Sequence, residues 1–184
     1  MQPPRFAVRD TVVIVLMGIP GSGKTTLANE ILSRFRARLV SRDVVRAAMF
    51  QPCSFTPEEK AASFRAVTDA VATNCELGHS TIVEGMPFSR VGEVEAVQAR
   101  AGEHGVRTVT VLCNTPIEVA QQRVRAQRRA GVPMADDRGA ELVAEVAARF
   151  RSPPEGGLVL DTTRPVATLA DEVIERASVT ARSR

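Results

Sequence analysis

Apolar positions along the chain fall in short blocks whose period switches repeatedly. Residues 12–17, Val-Val-Ile-Val-Leu-Met, form an unbroken and mostly β-branched run, the signature of a strand buried on both faces. Residues 25–35 instead place Leu27, Ala28, Ile31, Leu32 and Phe35 at helical spacing. The same alternation continues: a short strand over 38–41, a helix over 44–50, and a loop over 51–57. Thr56-Pro57-Glu58-Glu59 reads as a helix start, with Thr as N-cap, Pro at the first helical position and Glu59 three residues on. That helix is expected to run to Leu77 and stop at Gly78. Further strands are predicted over 81–84, 106–113 and 157–161, and further helices over 89–103, from 115 into an arginine cluster, over 137–150 and over 166–179.

Five strands with helices between them predict an α/β fold with an open parallel sheet. Right-handed crossovers place helices on both of its faces, and ligands sit at the carboxyl ends of the strands. No repeat, low-complexity segment or long linker divides residues 1–184, which are expected to form one domain.

The turn after the first strand reads Gly18-Ile19-Pro20-Gly21-Ser22-Gly23-Lys24-Thr25, a full match to the phosphate-loop pattern G-x-x-x-x-G-K-[ST]. Strand, glycine turn and helix follow one another as that loop requires. Glycines let successive backbone N–H groups turn toward one anion, and the helix adds its positive N-terminal end. Cofactor binding is expected from Gly18, Pro20, Gly21, Ser22, Gly23, Lys24, Thr25 and Thr26. Lys24 is expected to reach the β- and γ-phosphates, and the Thr25 hydroxyl to ligate Mg²⁺.

Composition narrows the partners. The 184 residues carry a net charge of +3, yet only Lys24 and Lys60 are lysines and the other basic residues are arginines. Tyrosine and tryptophan are absent, so stacking platforms for single-stranded nucleic acid are poorly supplied. No apolar run approaches the roughly 20 residues needed to cross a bilayer. Arg5, Arg9 and Asp10 directly precede the first strand, unlike a signal peptide, and a cytoplasmic location is expected. Cys53, Cys75 and Cys113 are widely spaced and suggest neither a zinc site nor a disulfide framework, with Cys75 and Cys113 expected to be buried thiols. His79 and His104 sit beside glycines and receive no role.

With these motifs in place the chain resembles the small P-loop kinases, most of all the branch with polynucleotide-kinase-type and zeta-toxin-type phosphotransferases, related to nucleoside-monophosphate, gluconate and shikimate kinases. The resemblance implies a P-loop NTPase three-layer α/β/α sandwich with strand order 2-3-1-4-5 and an arginine-rich lid over about 124–140. It also implies transfer of the γ-phosphoryl group of ATP, with Mg²⁺, to a hydroxyl acceptor.

The second strand ends in Ser41-Arg42-Asp43, with Arg46 one turn later, similar to the Asp-x-x-Arg of polynucleotide-kinase-type enzymes. Asp43 could accept the acceptor's proton, and Arg46 could hold the transferring phosphoryl or an acidic substrate. The same residues also suit a helix N-cap followed by a solvated arginine. The third strand ends in Glu84-Gly85-Met86-Pro87-Phe88-Ser89-Arg90, similar to the Asp-Gly-Phe-Pro-Arg of nucleoside-monophosphate kinases. Glu84 would then organise Mg²⁺ through water, although glutamate departs from the family aspartate. Binding acceptor hydroxyls, or capping nearby backbone N–H groups, are its other readings.

The run Arg123-Val124-Arg125-Ala126-Gln127-Arg128-Arg129 resembles the start of a kinase lid. Arg123 and Arg128 are implied to stabilise phosphoryl charge, with Arg138 a weaker third. Asp161-Thr162-Thr163-Arg164-Pro165 matches the family's adenine loop, where Arg164 would stack on the base or the segment would simply cap a helix.

The leading reading is therefore a kinase of a small metabolite, nucleoside, sugar or natural product, acting as monomer or homodimer. Alternatives are a polynucleotide 5′-hydroxyl kinase, or a non-kinase nucleotide-binding or ATPase module. A GTPase switch would need an Asn-Lys-x-Asp stretch, which the chain lacks. A mechanical AAA-type ATPase would need a larger chain and paired acids after an apolar strand, which it also lacks. The acceptor pocket is expected from residues 51–62, the helix that follows, and residues 88–90, with Phe50, Phe55, Phe64 and Phe88 as candidate walls.

Overall fold

A computed structural model describes residues 11–130, 139–150, 153 and 155–179. In chain order its elements are β1 (Val12–Met17), α1 (Lys24–Leu32), β2 (Arg38–Ser41), α2 (Arg42–Met49) and α3 (Pro57–Glu76). Next come β3 (Thr81–Glu84), α4 (Glu93–Gly102), β4 (Arg107–Asn114) and α5 (Ile117–Arg129). The last elements among the described residues are α6 (Ala140–Arg149), β5 (Leu158–Asp161) and α7 (Val166–Val179). The strands form one parallel sheet in the order β2-β3-β1-β4-β5.

β1 lies at the centre, and all six of its residues are buried. Its side chains alternate between two cores, as the period of a strand requires. Val12, Ile14 and Leu16 join Leu27 and Ile31 of α1 and Leu169 and Val173 of α7. Val13, Val15 and Met17 join Val67 and Val71 of α3 and Val94 and Val97 of α4 on the opposite face. Burial of each such side chain stabilises the fold by about 1.5–3 kcal/mol. A third cluster seats α5 and α6 on the phosphate loop, through Ile19, Ala120, Val124, Val143 and Val146.

Strand order reverses on either side of β1, the switch point where a crevice opens beyond the carboxyl ends of the strands. β1 registers Val15 against Val83 of β3 and Met17 against Leu112 of β4. β2 registers Ser41 against Glu84. The loops after β1, β2 and β3 thus start side by side.

Several boundaries differ from expectation. α2 begins at Arg42, because Ser41 is its N-cap, which makes Asp43 a first-turn residue and not the cap. α4 begins at Glu93, not at residue 89. Phe88 and Gly92 both adopt left-handed backbone (φ 55° and 87°), and the Glu93 carboxylate accepts the Arg90 N–H at 3.1 Å. α6 is described from Ala140, and the expected lid residues 131–138, Arg138 included, lie outside the described residues. Among the described residues no helix is long and apolar enough to cross a membrane.

Candidate active site

The phosphate loop leaves β1 with its Gly18 N–H bonded to the Pro87 carbonyl at 3.0 Å, which ties it to the loop after β3. Gly21 is required for space: a Cβ there would stand 2.4 Å from the Ala120 carbonyl oxygen of α5. Gly23 caps α1 with left-handed backbone and no side-chain cap, leaving the first-turn amides to a ligand or water. Pro20, Gly21, Gly23, Lys24, Thr25 and Thr26 line a cleft of about 580 Å³. Gly18 and the buried Ser22 stand behind that wall. The Ser22 carbonyl accepts the Thr115 hydroxyl at 3.4 Å and so braces the loop from below.

Lys24 folds back on the loop, donating to the carbonyls of Gly18 at 2.8 Å and Ile19 at 2.9 Å. The Thr25 hydroxyl donates to Glu84 Oε2 at 2.7 Å. Glu84 is buried at the end of β3, at the sheet position beside the start of the phosphate loop. The donor set there is hydroxyl and carboxylate oxygen, the hard chemistry that suits Mg²⁺. Behind the loop, burial pushes the Cys113 thiol up to about 11, against the opposing pull of the Lys24 charge.

The loop after β2 brings in the second group. While Val45 packs, partly buried, against the core, Arg46 is the buried residue of α2. Its Nη2 donates to Asp43 Oδ1 at 3.0 Å, and its guanidinium lies over the Phe55 ring, 4.7 Å from the centroid. Gly85 lets β3 pass close beneath this pair. Its φ is +83°, and an added Cβ would meet Ser41 Oγ at 2.7 Å and the amide nitrogens of Arg42 and Asp43 at 2.8 and 2.9 Å. Asp43, Arg46 and Glu84 all line the same cleft as Lys24.

On the other side, Arg123 of α5 reaches across the loop. Its Nη2 donates to the Thr162 carbonyl at 2.9 Å, and Nη1 to the Gly21 carbonyl at 3.5 Å. The segment after β5 is fixed by Thr162 N–H to the Asn114 carbonyl at 3.0 Å. Asp161 Oδ1 accepts the Thr163 hydroxyl and N–H, which hold its carboxyl below its ordinary range. Arg164 lines the cleft but pairs with Glu172, so its guanidinium is engaged along α7. Arg128 is exposed in the last turn of α5 and is not brought into the cleft.

Lys60, from the 51–62 segment expected to build the acceptor pocket, lines the cleft, which also contains residues to which the sequence reading gave no role: Arg42, Glu93 and Arg149. These three come from α2, α4 and α6, and no local spacing marks them as a group. The phenylalanine walls are corrected. Phe88 is 1% exposed in the core, Phe64 packs against that core, Phe55 lies against Arg46, and Phe50 is not in the lining either. Polar and charged side chains take their place, including Ser89 and Arg90.

Comparison with known proteins agrees with this geometry. A family described as AAA domain matches residues 13–153. A UPF0200 protein of Pyrobaculum aerophilum is 32% identical over 131 residues, covering 68% of each chain. Among solved structures, a candidate kinase from Chloroflexus aurantiacus aligns with a TM-score of 0.74 and 21% identity, covering 93% of this chain and 98% of the other. The Mycobacterium tuberculosis APS kinase, solved with AMPPNP and APS, aligns with a TM-score of 0.65 and 20% identity, covering 94% and 98%. These structural likenesses establish the P-loop kinase fold. The AAA description does not bring the paired acids of a mechanical ATPase, since β3 ends on the single carboxylate Glu84. By its match from β1 to beyond α6, the chain belongs to the AAA-domain family of P-loop proteins.

Proposed function

We propose that the protein is an ATP-dependent phosphotransferase that moves the γ-phosphoryl group of ATP to a hydroxyl of a small-molecule acceptor. The observation that carries this reading is the convergence of Lys24, the Thr25–Glu84 pair and the Asp43–Arg46 pair in one cleft, at the ends of three adjacent parallel strands. A phosphate loop alone binds nucleotide; a carboxylate facing it across the cleft supplies what transfer to a hydroxyl needs.

In this reading the amides from Gly21 to Thr26 and the Lys24 ammonium hold the triphosphate. Lys24 exchanges the loop carbonyls it now contacts for phosphate oxygens. Thr25 and Glu84 would hold Mg²⁺, directly and through water. When bound, that ion neutralises charge on the β- and γ-phosphates. Asp43 accepts the proton of the acceptor hydroxyl as its oxygen bonds to the γ-phosphorus. The bond from that phosphorus to the β,γ-bridging oxygen breaks, and ADP leaves with the oxygen. Arg46 fixes the Asp43 carboxylate, and Arg123 stabilises charge on the moving group.

The test is an acceptor screen with γ-labelled ATP across nucleosides, sugars, aminoglycosides and oligonucleotides, paired with calorimetry of a magnesium-complexed ATP analogue. Saturable nucleotide binding, and label transfer that Lys24→Ala abolishes without loss of fold, are expected. Folded wild-type protein that binds no nucleotide, or near-wild-type turnover in Lys24→Ala, would overturn the proposal.

A further inference from the structure

A left-handed phenylalanine stands behind the Asp43–Arg46 pair. Phe55 has φ 56°, a conformation uncommon for any side chain and an outlier for one this bulky. Such backbone persists only where its surroundings over-determine it, and it gathers at functional sites. Here one residue grips the chain on both sides of Phe55. Glu59, in the first turn of α3, accepts the Ser54 N–H at 2.9 Å and the Cys53 thiol at 3.3 Å. Its own N–H donates to the hydroxyl of the N-cap Thr56 at 3.3 Å. This is a capping box whose carboxylate reaches past the cap residue and fastens the loop before it.

That loop presents a ring face to a guanidinium. Arg46 lies 4.7 Å from the Phe55 centroid, and its side chain is 4% exposed. Among the described residues its guanidinium makes one hydrogen bond, from Nη2 to Asp43 Oδ1 at 3.0 Å. A single bond at one nitrogen tethers a guanidinium of five N–H donors and leaves its plane free to turn. A ring face fixes the plane, and a cation held out of water gains most from such a contact. Asp43 and Arg46 line the cleft, whereas Phe55 does not. The ring therefore acts from outside the substrate space, through Arg46.

We infer that Phe55 is a positioning residue for the transfer step: its ring holds the Arg46 guanidinium flat, and Arg46 in turn aims the Asp43 carboxylate at the acceptor hydroxyl. The inference rests on the kinase reading above and adds to it a residue that touches neither substrate. Misplacing a reacting group by about 1 Å costs on the order of 10²-fold in rate, so the support behind a base matters as well as the base. The left-handed backbone at Phe55 is kept for the sake of that support.

The experiment measures steady-state kinetics with the acceptor that the labelled-ATP screen identifies. Phe55→Leu is expected to lower kcat at least tenfold, leaving KM for the acceptor and Kd for the ATP analogue within twofold. Phe55→Tyr keeps the ring and is expected to stay within twofold of wild type. In the Asp43→Asn background, where the base is already gone, Phe55→Leu should cost less than twofold more. Phe55→Gly removes the ring but suits the left-handed backbone, so it should be as slow as Phe55→Leu while its urea midpoint is no lower. That variant keeps the test open if Phe55→Leu folds poorly. A kcat within twofold of wild type in Phe55→Leu and Phe55→Gly, a loss that Phe55→Tyr shares, or the same fold-loss with and without Asp43 would overturn the inference. Wild-type protein that transfers no label to any acceptor would instead overturn the kinase reading. The clamp is then read by arginine NMR, with the Arg46 guanidinium protons assigned by their loss in Arg46→Lys. Ring-current shifts upfield in wild type and Phe55→Tyr, absent in Phe55→Leu, support the clamp, and unshifted wild-type protons overturn it.

Discussion

The Thr25 hydroxyl donates to the Glu84 carboxylate at 2.7 Å, joining the last residue of the phosphate loop to the last residue of β3. The contact follows from sheet order. β1 and β3 are parallel neighbours in register, so the residues just past their ends meet. The carboxylate is 3% exposed, and a buried acid needs compensation from a hydrogen bond or a cation. One hydroxyl satisfies part of that need, and Mg²⁺ would satisfy more.

Glu84→Gln keeps the size and the acceptor oxygen but removes the charge. If the carboxylate supports Mg²⁺, the variant should need at least tenfold more Mg²⁺ for half-maximal activity, while metal-free nucleotide affinity stays within twofold. A magnesium titration of initial rates checks this. Superimposable titrations with a raised acceptor KM would instead assign Glu84 to acceptor hydroxyls.

Asp43→Asn should lower kcat by about 10², the usual loss when a general base is removed. Arg46 bonds to Asp43 Oδ1, so the asparagine oxygen can keep that partner and the loop should hold its shape. Steady-state kinetics separate the readings. A fall in kcat at unchanged KM supports the base, and a rise in KM alone makes Asp43 a substrate binder.

Much of the fold was legible because its strands are decided by local pattern. The apolar run of β1 and the glycine turn after it fix the sheet's centre and its ligand-binding end together. The start of α4 was not legible, because it depends on left-handed backbone at Phe88, a residue type that rarely adopts it. The site divides in the same way. Lys24, Thr25, Asp43 and Glu84 stand at strand ends and could be read one motif at a time. Lys60 falls in the 51–62 segment expected to build the pocket, whereas Arg149 enters the cleft from α6, where tertiary packing alone brings it in. Arg128 failed for the converse reason: helical phase carries Arg123 inward and leaves a residue five positions later on the solvent side.

Gly85→Ala should destabilise the protein by about 1–3 kcal/mol or more, because positive-φ strain and a close approach coincide there. The new methyl would press on Ser41 and on the backbone that places Asp43. Gly105→Ala is the control, with φ +67° but open space around its added Cβ, and it should show the strain alone. Urea midpoints at equal m-values compare the two. Equal losses would mean that the start of α2 yields freely. A larger loss at Gly85, with kcat reduced as well, supports its part in holding Asp43 in place.

Cys113 gives a pH dependence with a definite sign. Its thiol ordinarily titrates near 9.0 and is pushed up to about 11 in the folded protein by burial. A raised folded-state value means stability fully present below about pH 9 and lost as pH climbs toward 11, amounting to about 3 kcal/mol once the unfolded chain alone can form the thiolate. The chain has no tyrosine and only two lysines, so few other groups titrate in that window; the buried Cys75 thiol, which burial also raises, is one of them. Denaturant-derived stability should therefore fall between pH 9 and 11 in the wild type and fall less steeply in Cys113→Ala. Identical slopes in the two proteins would show that the thiol behind the phosphate loop does not set the alkaline limit.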